Sequence, residues 1–283
     1  MKISMSQITT MPLPLVEDLP AFSRAGFAAT ELQIDKVNRF VATSSVEALI
    51  DMLATLKLKP TGAIGLAPSG PALLLARGSV FDEYLVSLRQ QLELCRRIGI
   101  DQIGIGADAS KWKQEDNWRT GAVSNILRAA RIADDTGVRI GLEFMSLGAP
   151  IGPFILDTLA ETREIVAEVD RDSVGYNIDL FHHYRSNGTV DELKTVRAVD
   201  VVGVHVTDVG PGDKPTLGDG DRVLPGKGVA PVIGYRDALI GAGYDGYWTL
   251  ELLNESLWKL DPEETARLGL ASMRAFAAAS AQN

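Results

Sequence analysis

Short runs rich in β-branched and aliphatic residues recur along the whole chain, and between them apolar residues return at every third or fourth position. The runs fall at residues 2–6, 28–34, 59–66, 102–106, 139–144, 173–179, 201–207 and 247–252, eight in all. Runs of this length, bounded by Gly, Pro, Asn or Asp, are the pattern of strands. The intervening spacing, seen in Val46, Leu49, Ile50, Leu53 and Leu56 and again in Leu85, Leu88 and Leu92, is that of helices buried along one face. Helix starts are marked by Thr43-Ser44-Ser45 and Asp261-Pro262, and helix ends by Gly26, Gly99, Gly137 and Gly243. Regular alternation of strand and helix implies parallel strands joined by right-handed crossovers. Eight such units in 283 residues predict an α/β fold, a closed (β/α)8 TIM barrel formed by a single domain over residues 1–283. An open dinucleotide-binding sheet would carry a glycine-rich phosphate loop after its first strand, and here that strand runs into Gln7-Ile8-Thr9-Thr10.

Hydrophobic residues make up 46% of the chain and charged residues 23%, enough apolar material for one large core and too much for long-range disorder. Lys plus Arg number 28 against 37 Asp plus Glu, a net charge of −9. No basic run could neutralise a row of phosphates, so nucleic acid is not an expected partner. The single cysteine, Cys95, falls within a helical pattern and excludes a disulfide framework or a cysteine-based zinc site. The N-terminal residues, interrupted by Pro12, Pro14, Glu17 and Asp18, lack the layout of a signal peptide. No apolar run approaches the roughly 20 residues that cross a bilayer. A cytoplasmic protein without a membrane partner is expected.

In a barrel of this kind the active site is built at the C-terminal strand ends. Glu143 lies near the end of the fifth predicted strand, Asp179 ends the sixth, His205 is near the end of the seventh and Glu251 near the end of the eighth. Burying charged groups in apolar strands costs several kcal/mol unless a cation or partner compensates. A lone acid or histidine in such a place is as often a satisfied core group; four on consecutive strands point to an ion. Three carboxylates and one imidazole form an oxygen-rich set that suits Mn, Mg, Co or Zn.

The order Glu, Asp, His, Glu, with the phrases IGLEF, NIDLFHHYRSNG, GVHVTD, DRVLPGKG and GYDGYWTLELLNE, resembles the sugar phosphate isomerase/epimerase superfamily of xylose-isomerase-like barrels over nearly the whole chain. Within it the sequence is similar to the inosose and ketose epimerase, hydroxypyruvate isomerase and inosose dehydratase branches. The resemblance implies one divalent metal ion, manganese among the compatible ones, held by Glu143, Asp179, His205 and Glu251. It also implies a small carbohydrate substrate contacted by His182 and Arg222.

Such an ion can chelate a carbonyl and a neighbouring hydroxyl and stabilise the enediolate left when the carbon-bound proton departs. Glu143 and Glu251 can flank the substrate, one taking the proton and the other returning it. The expected function is therefore a metal-dependent isomerase or epimerase of a small keto sugar, keto-inositol or hydroxy-keto acid. A lyase, by inosose dehydration or β-elimination from a 3-keto sugar, is the alternative. An endonuclease on this barrel would call for more histidines and a basic face; a sugar-binding barrel without turnover is a further reading, which the quartet favours less than an enzyme and which turnover on metal addition, as against thermal stabilisation alone, tells apart. His182 and His183 are expected in a loop after Asp179, and Arg222 in a loop where a solvated role competes with a substrate contact. Trp112, Trp118 and Phe144 are candidates for an apolar wall, while Lys227 stands where the family carries an acid. No phosphate-cradling glycine loop is evident after the seventh or eighth strand, which favours an unphosphorylated substrate. Oligomeric state stays open, a homo-oligomer being compatible.

Overall fold

The computed structural model describes residues 1–65, 73–107, 117–148 and 154–280. Its strands are β1 (Lys2–Ser6), β2 (Ala29–Gln33), β3 (Lys59–Ile64), β4 (Gln102–Gly106), β5 (Arg139–Glu143), β6 (Val174–Asp179), β7 (Val201–Val206), β8 (Asp208–Val209), β9 (Arg222–Val223) and β10 (Tyr247–Leu250). All except β8 and β9 pair in parallel and close into a barrel in the order β1-β10-β7-β6-β5-β4-β3-β2. β8 and β9 form a small antiparallel ribbon. The predicted strands are all present, most of them one or two residues shorter than their apolar runs.

The local signals act as expected. The Ser45 side chain caps the helix Val46–Leu56 by accepting from the Ala48 N–H, and Asp261 caps Pro262–Ala278 by accepting from the Glu263 and Glu264 N–H groups. Each accepted bond satisfies a donor that the first helical turn leaves unpaired. Gly26, Gly99 and Gly137 end their helices in the left-handed conformation, where a side chain would be strained.

The apolar mass lies between strands and helices, where Leu32, Ile103, Ile105, Val204 and Leu250 meet Leu88, Leu92 and Ile126. The barrel interior is more polar. Ser4 and Thr61 share a hydrogen bond of 3.1 Å. Asn177 of β6 fits inside because β7 offers glycine opposite it: a Cβ at Gly203 would stand 2.4 Å from Asn177 Oδ1.

Two buried carboxylates organise the rim. Asp18 accepts from Lys36 Nζ at 2.6 Å, Gln7 Nε2 at 2.8 Å and Thr10 Oγ1 at 3.1 Å, while Gln7 Oε1 accepts from the Gln33 N–H at 2.9 Å. This network ties the segment after β1 to the helix after β2. Asp208 accepts from the backbone N–H groups of Val209 at 2.8 Å, Gly226 at 3.0 Å and Ala230 at 3.0 Å, fastening the long connection after β7. In that connection a Cβ at Gly228 would stand 2.2 Å from Val209 O, so the second glycine of LPGKG serves close backbone approach. Among the described residues no helix is long and apolar enough to cross a membrane.

Candidate metal centre

Glu143, Asp179, His205 and Glu251 converge: each offers a ligand atom, and these atoms lie within 4.8 Å of one another. Glu143 and Asp179 are the last residues of β5 and β6, His205 is the penultimate residue of β7, and Glu251 follows the last residue of β10. Parallel strands of one barrel bring their C-terminal ends to one rim, so positions more than a hundred residues apart become neighbours. His205 Nδ1 is 3.1 Å from Glu143 Oε1 and 3.4 Å from Glu251 Oε2. Asp179 Oδ1 accepts from the Phe181 N–H at 2.7 Å, and Oδ2 accepts from Arg222 Nη1 at 2.7 Å.

The charges of the cluster are strongly coupled. Burial, with Glu143 adding to it, pushes the Glu251 carboxyl up to about 7 despite His205 and Arg222 beside it. Burial opposes a charged His205, yet Glu251 and Glu31 raise it well above the usual imidazole range. Burial likewise opposes an ionised Asp179, but the Arg222 guanidinium beside it holds it well below the usual carboxylate range. An imidazole and carboxylates facing one another at such distances hold either protons or a divalent cation between them. The donor set therefore fits one hard or borderline cation with oxygen and nitrogen ligands.

Beside the cluster opens a cavity of about 380 Å³. Its lining mixes polar groups, among them Glu143, Glu251, His182, Arg222, Asp219 and Asp35, with apolar ones such as Ile8, Phe154 and Leu253. Arg222 is 1% exposed and belongs to β9, not to a solvated loop. Its guanidinium also donates to Asp219 Oδ1 at 3.0 Å and lies 4.4 Å from the Phe181 ring centre. Burial works against the guanidinium, but Asp179 and Asp219 keep its proton held more tightly than usual.

His182 and His183 lie in the helix Leu180–Arg185 and not in a loop, because the Asp179 carboxylate caps that helix directly from the strand end. His182 lines the cavity. Burial keeps it neutral, with Nδ1 3.3 Å from Ser146 O and Nε2 3.3 Å from Arg222 Nη2. His183 turns the other way, packing its ring against Tyr235 at 4.9 Å and placing Nε2 3.0 Å from Thr189 O.

The expected apolar wall is differently made. Phe144 is fully buried behind the site, Trp118 opens the helix Trp118–Thr136 and packs on the core, and Trp112 lies outside the described residues. Lys227 is exposed in the LPGKG turn. Three neighbours of the candidate site had no sequence signal assigned to them: Glu31, Asn177 and Asp219. Asn177 Nδ2 donates to Glu143 Oε1 at 2.9 Å and lies 3.1 Å from His205 Nδ1, and Glu31 Oε1 is 3.1 Å from His205 Nε2. The usable signal was an acid in the middle of the strand ATELQ and an amide two residues before Asp179, on the same strand face.

Closed parallel barrel and buried carboxylate–histidine cluster at its C-terminal rim together define a (β/α)8 barrel with a candidate metal centre. The chain belongs to the xylose isomerase-like TIM barrel family, whose pattern matches residues 19–276. It is similar to inosose isomerases: that of Bacillus velezensis is 25% identical over 271 residues, 94% of each chain, and that of Bacillus subtilis 27% identical over 184 residues, 65% of each chain. Among solved structures, the IOLI protein with a binding zinc atom gives a TM-score of 0.86 at 24% identity, covering 98% of both chains. D-Psicose 3-epimerase with D-tagatose, from Clostridium cellulolyticum H10, gives 0.76 at 16% identity, again covering 98% of both.

Proposed function

We propose that this protein is a metal-dependent isomerase or epimerase of a small keto sugar or keto-inositol, with the whole chain, 1–283, acting as one cytoplasmic barrel. The observation that carries the reading is the convergence of Glu143, Asp179, His205 and Glu251 within 4.8 Å beside a cavity of monosaccharide dimensions. Similarity to inosose isomerases over 94% of the chain points the same way. Those four residues would hold one Mn, Mg, Co or Zn ion. When bound, the ion supplies Lewis acidity for the carbonyl and adjacent hydroxyl oxygens and for the negative charge that develops as the carbon-bound proton leaves.

The protein's own groups do the rest. Glu143 and Glu251, reaching the cavity from β5 and from the end of β10, take and return the proton at the carbon next to the carbonyl. His182 and Arg222 contact substrate oxygens on the same side, and the pairing of Arg222 Nη1 with Asp179 holds the guanidinium in place. Among the described cavity residues Arg222 is the one fixed cation, and it is already engaged by Asp179 and Asp219. A neutral polyhydroxy ketone suits this lining better than a phosphorylated sugar, whose dianion would meet Glu143, Glu251 and Asp219.

The test is incubation of the metal-loaded protein with keto-inositols and ketohexoses in deuterium oxide. Deuterium at the carbon next to the carbonyl, together with an isomeric product, is the expected outcome. No exchange and no product with any of the four metals overturns the reading, and loss of water from the substrate reassigns the protein as a lyase.

A further inference from the structure

Among the described residues, Glu31 is the only buried acid on β1 to β4. It reaches from β2 to β7, 174 positions away in sequence, to place Oε1 3.1 Å from His205 Nε2. The other ring nitrogen is read by Asn177. The amide nitrogen Nδ2, which has only hydrogens to offer, donates to Glu143 Oε1 at 2.9 Å and points at His205 Nδ1 at 3.1 Å. When the ring ligates a cation through Nδ1, that nitrogen carries no proton, and the ring's single proton sits on Nε2, where Glu31 accepts it. Nδ1 lies 3.1 Å from Glu143 Oε1 and 3.4 Å from Glu251 Oε2, so it is the ring nitrogen turned toward the quartet. The second oxygen of Glu31, Oε2, is buried without a hydrogen-bond partner, so no other donor competes with His205 for the carboxylate.

We infer that Glu31 is a positioning residue for the metal centre: its carboxylate fixes the Nε2–H tautomer and the ring orientation of His205, so that Nδ1 is presented to the cation as a more basic ligand. This rests on the reading of the quartet as a metal site. A ligating imidazole that donates its other N–H to a carboxylate is oriented and made more basic by it, and losing such a partner typically weakens metal affinity about 10- to 100-fold. Glu31 does not itself belong to the convergent quartet. Its effect on the ion passes through His205.

The experiment titrates Zn²⁺ into the metal-free full chain against a chromophoric chelator, and records ¹⁵N-histidine spectra of the zinc-loaded protein. With 3 histidines in the chain, assignment is direct. The wild type should bind one ion per chain, with His205 carrying a hydrogen-bonded proton on Nε2. Glu31→Ala should weaken zinc by about 10- to 100-fold and lose that hydrogen-bonded proton signal. Glu31→Gln, whose amide oxygen still accepts from Nε2–H but carries no charge, should weaken it by less. A merely structural role would lower the melting temperature of the metal-free variants and leave zinc affinity and tautomer untouched. Wild-type affinity in both variants, or a proton on Nδ1 of His205 in the wild type, overturns the inference. If Glu31→Ala does not fold, Glu31→Gln decides by the same two readouts. If the wild type takes up no zinc, the metal reading falls and takes this inference with it; if the wild type binds and the variants match it, only the inference falls.

Discussion

At the scale of single residues the site is a contest between burial and pairing. Asp179 is fully buried and stays charged because Arg222 faces it at 2.7 Å, whereas Glu251, with Arg222 at 3.5 Å and Glu143 nearby, is pushed up to about 7. Both candidate acid–base residues can be tested by near-isosteric replacement. Glu143→Gln and Glu251→Gln should each lower turnover by at least about 100-fold, the scale of a lost general base, with the circular dichroism spectrum unchanged. Loss of solvent deuterium incorporation after metal content is matched is the check, and parent-rate exchange in either variant removes that residue from the proton transfer. His182→Ala should raise KM or lower kcat while leaving metal content near that of the wild type, because its ring faces the cavity and Arg222 rather than the convergent quartet. A variant purified without metal would instead make His182 a support of the ion.

At the scale of elements, strands and long helices were legible because their periodicity repeats over enough residues to stand out. The helix Leu180–Arg185 was not: six residues complete under two turns, and its cap, Asp179, is the final residue of a strand. Neighbouring residues on a helix point about 100° apart, which is why His182 enters the cavity and His183 enters the core. The connection after β7 shows the opposite case, a long irregular stretch made rigid by one acid. Asp208 is 2% exposed and accepts three backbone N–H bonds. Asp208→Ala should destabilise the protein by about 1.5–3 kcal/mol, the range for hydrogen bonds to a charged group. It should also raise KM, since Asp219 and Arg222 ride on the same connection. A urea midpoint equal to that of the wild type would show the loop is held by other means.

At the scale of the whole molecule, the candidate metal centre would couple ion binding to pH and to stability. In the metal-free protein Glu251 holds its proton up to about pH 7, against an ordinary carboxyl value of 4.5. Between those values the unfolded chain ionises while the folded one does not, so stability falls as pH rises from 4.5 and the loss is complete above 7. At 1.36 kcal/mol per unit the cost is about 3 kcal/mol. His205, also raised above its usual value, contributes with the same sign at higher pH. A cation displaces these protons, so apparent metal affinity should climb with pH through about 7. The rise in melting temperature on adding metal should therefore be larger at pH 8 than at pH 5. A gain that is flat or shrinks with pH would mean that the quartet does not release protons on binding.

What the sequence by itself determined is the number of strand–helix units, the closed parallel barrel they imply, and the quartet Glu143, Asp179, His205 and Glu251. Periodicity is a local property of the chain, and the rule that parallel strands end at a common rim turns four positions in linear order into one cluster. Only the tertiary structure decided the remainder of the site. Glu31 and Asn177 look like ordinary polar residues within their strands, and their roles exist only as distances across the barrel to His205 and Glu143. Arg222 reads as a loop residue until Asp179 and Asp219 are seen to enclose it. Apart from Arg222 with Asp219, these contacts join residues 28 to 174 positions apart, and no pattern along the chain encodes the closure that brings them within hydrogen-bonding reach.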